Sequence, residues 1–141
     1  MVLAEDIFSD TNIPPLDNSA MDGFCLKSAD TKNSSPAAPA RLKIIGTIYA
    51  GKIPRFAVGH QQAARIMTGA PIPKGVDTVI PIEEISEKDG YVFINKPVGK
   101  HNHIRNQGED VRKNEKVILK GKAIRPAEIG MMASVGAFVI I

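Results

Sequence analysis

The sequence predicts a mainly β protein with a few short helices, on three observations. Its apolar residues gather in short, β-branched runs bounded by turn formers. Twelve glycines and ten prolines are spread over 141 residues, which suits many turns and few long helices. A single stretch carries helix start and stop signals together.

Taken in order, the predicted strands are LKIIGTIYAG (42–51), DTVIPIEEI (77–85), GYVFINKPV (90–98) and EKVILKGKAI (115–124). The segment 31–39, TKNSSPAAP, is Ser/Pro/Ala-rich and aperiodic, and reads as a linker or an exposed loop. In RPAEIGMMASVG, Pro126 suits the first helical position, Glu128 the positive end of the dipole and Gly136 the C-terminus. Ile129, Met132 and Ala133 would share one face of that helix. The closing AFVII reads as a strand cut off at the last residue, so the natural sequence is expected to continue past Ile141.

Composition narrows the function classes. No apolar run approaches the length of a membrane span, and MVLAEDIFSD brings in acids where a signal peptide would carry Lys or Arg; a cytoplasmic location is expected. The lone Cys25 cannot form an internal disulfide. Residues 1–30 hold six acids against Lys27, a net of −5, while residues 95–125 hold nine bases against three acids, a net of +6. Aromatics make up 5% with no Trp, leaving few platforms for stacking bases, so nucleic acid is not expected as a partner.

Several chemical signals were weighed. GTIYAGK (46–52) satisfies the opening of a phosphate-binding G-x-x-x-x-G-K loop, but Ile53 stands where Ser or Thr is needed and Pro54 follows, so Gly51 is read as a turn between strands. The histidines of HNH (101–103) and His60 lack companions for a metal centre and read as solvated loop residues. What remains is DNSAMDGF (17–24), RIMTGAPIPKGVDTVIPIEE (65–84) and IRNQGEDV (104–111), each joining turns to compact polar groups. From the residues alone, two readings stand: turn and cap residues satisfying their own backbone, or acceptors and hydroxyls offered to a ligand.

These three stretches, with LAEDIFSDTNIPPLDNSAMDGF and LKGKAIRPAEIGMMASVG, resemble the molybdopterin molybdenumtransferases, the MoeA proteins and the gephyrin E domain. The resemblance covers nearly the whole chain; Leu16, Phe24, Cys25 and His103 depart from the pattern. It implies bifurcated and coiled β-sheets, with residues 1–30 and 105–141 forming an elongated dimerisation domain and 31–104 an inserted β-rich domain. It further implies the first part of a homodimeric enzyme that inserts molybdenum from molybdate into adenylylated molybdopterin with release of AMP, aided by Mg2+ or a similar divalent cation. Asp22, Thr68 and Asp110 are the implied catalytic residues, with Asp22 the suggested metal ligand; Asn18, Ser19, Gly69 and Glu109 are the implied substrate-binding residues. The fragment alone is expected to be inactive. Rival expectations are a dimerisation or scaffold module without chemistry, and a stand-alone anion binder using the basic 95–125 region.

Overall fold

A computed structural model describes residues 1–137. The chain divides into two units: Met1–Leu16 with the described residues from Asn106 on, and Asp17–Arg105. The boundary differs from the expected one, because residues 17–30 belong to the second unit and supply its sheet with a central strand.

In the first unit, β1 (Ile7–Phe8) pairs antiparallel with β10 (Lys116–Ile118), setting Ile7 opposite Ile118. Isolated bridges join Val2 to Ala123 and Ile13 to Val111. The helix α1 (Pro126–Ser134) forms where its caps predicted: Glu128 Oε2 accepts the Arg125 N–H at 3.1 Å. Leu3, Ile118 and Met132 make the core, with Ile7, Val117 and Ile124 packed against it. The expected helix face is only partly realised, since Met132 is buried while Ile129 and Ala133 are exposed. The strand predicted in AFVII lies, from residue 138 on, outside the described residues.

The second unit carries a six-stranded sheet in the order β6-β3-β5-β4-β8-β7. Its strands are β3 (Gly23–Leu26), β4 (Ala40–Ile48), β5 (Gln62–Ile66), β6 (Thr78–Pro81), β7 (Ser86–Lys88) and β8 (Tyr91–Ile94). Only β4 and β5 run parallel. A parallel pair needs a crossover, and here residues 49–61 supply it as an irregular segment whose Phe56 and Val58 cover one sheet face. Alternation sends Phe24 and Leu26 to one apolar cluster and Cys25 to the other, so β3 is buried on both sides. Arg65 of β5 meets Glu87 of β7, three positions along the strand order, which requires the sheet to curl.

Segment 31–39 is no linker. Thr31 is fully buried: its hydroxyl donates to the Ser28 carbonyl at 2.8 Å and accepts the Val98 N–H at 3.0 Å. Ser34 Oγ in turn donates to the Thr31 carbonyl at 2.6 Å. Local hydroxyl bonds of this kind are hard to see in a Ser/Pro-rich string, because composition does not reveal which hydroxyls are enclosed.

Candidate functional site

At one end of the six-stranded sheet, the antiparallel register that sets Gly23 opposite Ile66 brings the residue before β3 beside the turn after β5. That turn is residues 67–70, MTGA, closed by the Ala70 N–H on the Met67 carbonyl at 2.9 Å. Gly69 stands at its third position with φ +80°, which L side chains adopt at a cost. The turn is held from outside by Ser19, whose N–H donates to Ala70 O at 3.0 Å and whose carbonyl accepts the Gly69 N–H at 2.8 Å. On its other side the short strand β2 (Asn18–Ser19) pairs with β9 (Ile104–Arg105).

Asp22 and Thr68 meet at this corner. Asp22 Oδ1 accepts the Thr68 backbone N–H at 2.7 Å and the Thr68 hydroxyl at 2.8 Å. Both donors favour the charged form, the backbone N–H most, and hold the Asp22 carboxyl below the usual carboxylate range. Oδ2 accepts no hydrogen bond among the described residues, and the side chain is exposed. The corner therefore presents one ionised oxygen to solvent, held by two bonds on its twin.

The geometry reassigns some expected contacts. Ser19 is fully buried and its hydroxyl donates to the Met21 carbonyl at 2.6 Å, so its side chain shapes the loop and does not face a ligand. The amides of Thr68, Gly69 and Ala70 are committed to Asp22, Ser19 and Met67, so this turn is not an anion-binding row of free N–H groups. The Thr68 hydroxyl likewise donates to Asp22, which makes it a positioning group. Glu109 and Asp110 fall in the first unit. There Glu109 Oε2 accepts the Asn106 N–H at 2.9 Å, and the Asp110 N–H donates to Ile13 O at 2.9 Å. Arg105, opposite Asn18 across β2 and β9, was not singled out in the sequence; only strand pairing sets that cation beside the predicted binding residues.

As a place for a divalent cation, the corner offers one carboxylate oxygen. No group of three or more His, Cys, Asp or Glu residues suited to a metal occurs among the described residues. This fits Mg2+ held through one carboxylate, water and substrate phosphates, and does not fit an all-protein cage. No helix among the described residues is long and apolar enough to cross a membrane.

Fold and site together define a two-unit, mainly β protein whose polar corner is set at one end of its larger sheet. The chain belongs to the family described as the MoeA N-terminal region (domain I and II), whose model matches residues 1–136. It is 36% identical over 136 residues, 96% of this chain, to the molybdopterin molybdenumtransferase of Synechococcus elongatus. To the enzyme of that name from Staphylococcus aureus it is 38% identical over 135 residues. A crystal structure of the molybdopterin biosynthesis MoeA protein from Pyrococcus horikosii superposes with a TM-score of 0.91 at 34% identity, over 96% of this chain and 35% of that one. The chain spans about a third of the length of these relatives, 34% and 32% of the two enzymes.

Proposed function

We infer that the chain is the N-terminal part of a molybdopterin molybdenumtransferase in molybdenum cofactor biosynthesis, inserting molybdenum from molybdate into adenylylated molybdopterin with release of AMP. The observation that carries this reading is the Asp22 carboxylate, anchored through Oδ1 by both Thr68 donors and open at Oδ2. A carboxyl held below its usual range is a weak base and a good cation ligand at neutral pH, so Asp22 acts by holding charge and not by taking a proton. Mg2+ bound at Oδ2 would supply positive charge to neutralise the substrate's phosphates. Thr68 fixes the carboxylate's direction, Asn18 and Gly69 border the corner, and Asp110 with Glu109 supplies further acid from the first unit.

The protein is read as cytoplasmic and homodimeric, with residues 1–16 and 106–141 as its dimerisation domain and 17–105 as its β-rich insert. Exposed apolar residues of the first unit, Phe8, Leu119 and Ile129 among them, support a second copy as partner. The same patch favours a second reading, a dimerisation module without chemistry. By itself the chain is expected to be inactive, because it spans only a third of its relatives and catalysis depends on groups fixed around the substrate.

The test grafts this chain in place of the matching third of the Synechococcus elongatus relative and measures molybdate-dependent AMP release from the adenylylated pterin. An active chimera beside an inactive isolated chain supports the enzyme reading. A folded, dimeric but inactive chimera supports the module, and turnover by the isolated chain contradicts the placement of the site.

A further inference from the structure

The segment whose G-x-x-x-x-G-K pattern fails as a phosphate loop builds a cavity of its own. Residues 47–56 curl around about 780 Å3 at the C-terminal end of β4, within the size range of small-ligand pockets. Its walls are Tyr49, Lys52, Ile53, Arg55 and Phe56 over the strand residues Thr47 and Ile48. Phe56 lies against Gly46, where a Cβ would stand 3.1 Å from two ring carbons; the missing side chain makes room for the ring.

Three features name the ligand's chemistry. Lys52 and Arg55 form no ion pair among the described residues, although Arg65, Lys96, Lys116 and Lys122 all do. Two uncompensated cations in one concavity select an anion, with Arg suited to phosphate oxygens. Tyr49 and Phe56 add ring surface to the same wall, Tyr49 being half exposed at 55%, and flat rings stack on such surfaces. The cavity also borders the polar corner: the Met67 N–H donates to Ile48 O at 3.1 Å, and a Cβ on Gly69 would lie 3.9 Å from that of Ala50.

We propose that the 47–56 cavity binds a phosphate attached to a flat heteroaromatic ring, the adenylate portion of the substrate, with Lys52 and Arg55 on the phosphate and Tyr49 and Phe56 against the ring. The source of the adenylate rests on the molybdenumtransferase reading; the cavity's ligand chemistry does not. Asp22 then stands at the border where the pyrophosphate link, with its cation, would pass from one site to the other.

The experiment is a titration of the 141-residue chain with AMP, adenosine and inorganic phosphate, followed by amide NMR shifts. AMP is expected to move the resonances of residues 47–56 and to bind more tightly than either of its parts. Lys52→Ala with Arg55→Ala should weaken AMP binding by about tenfold per cation, and Tyr49→Ala should bring AMP binding down towards that of phosphate. These residues are exposed, so an unchanged urea midpoint will verify folding. Absence of AMP binding, shifts centred elsewhere, unaltered binding by the double variant, or phosphate binding as well as AMP would each overturn the proposal. Such a failure beside an active chimera leaves the enzyme reading intact; AMP binding at the cavity beside an inactive chimera removes that reading and keeps the site.

Discussion

The two units of this chain bury their apolar residues differently. The second unit closes two clusters of seven residues each, none more than 2% exposed, on the two faces of one curled sheet. The first has Leu3, Ile118 and Met132 at its centre, two of them 7% exposed, and leaves Phe8 and Ile129 more than half exposed. A sheet covered on both faces can hold a polar corner rigidly at its end, since the strands that carry Asp22 and Thr68 are locked by packing. Two-residue strands and isolated bridges give the first unit its path but little enclosed core, and its open apolar surface suits association with a second copy.

The largest expected effect breaks the comparison at its strongest point. Phe24→Ala, in the middle of the fully buried β3, should lower stability by about 3–5 kcal/mol in urea unfolding. Met132→Ala in the first unit should cost about 2 kcal/mol, the low end for such truncations, because its surroundings are less enclosed. Equal losses would show that the two cores are equally tight.

Next in size is association. If the first unit's apolar surface is a dimer face, Ile129→Asp should raise the dimer dissociation constant by about tenfold or more, read by sedimentation. A chain that stays monomeric at high concentration would remove that role.

A chemical probe reports on the second unit alone. Burial pushes the Cys25 thiol up to about 12, so the thiolate is scarce at neutral pH. A thiol reagent should label Cys25 only as fast as the sheet opens, and rapid labelling in native buffer would mean that β3 is less enclosed than its neighbours indicate.

The smallest effect concerns pH. Asp22 has a folded pKa below its unfolded value, so its bonds to Thr68 contribute stability fully above the ordinary carboxylate range and lose it as pH falls through the depressed folded value. Thr68→Val removes the hydroxyl donor and keeps the backbone one. The Asp22 titration, followed by carboxyl NMR, should therefore move part of the way up towards its ordinary value; no movement would show that the hydroxyl does not support the carboxylate.

Strands with clear period or β-branching, β4, β6, β8 and β10, and the capped helix α1 were legible in the sequence. The central β3 and β5 were not. Gly23–Leu26 and Gln62–Ile66 are covered on both faces or filled by small residues such as Ala63 and Ala64, so neither shows the alternation that marks a strand. They also sit inside the stretches that the polar residues had claimed as turns, which hid that Asp22 and Thr68 are neighbours by strand register. Family resemblance picked out both residues, but only the hydrogen bonds distinguish a presented carboxylate from a committed hydroxyl, and a buried Ser19 from an exposed one. The loop 47–56 escaped notice because its pattern matched a known phosphate loop just well enough to be tested and rejected.

The central claim is that Asp22 serves chemistry through its open oxygen while Thr68 holds the other. Asp22→Asn isolates that oxygen, since an amide carbonyl in place of Oδ1 can still accept both Thr68 bonds while an uncharged NH2 replaces Oδ2. Measured in the chimera as molybdate-dependent AMP release, this substitution should lower the rate by about a hundredfold or more, with the urea midpoint nearly unchanged. A rate close to that of the parent chimera, or a loss of activity accompanied by destabilisation as large as that of Phe24→Ala, would contradict the account.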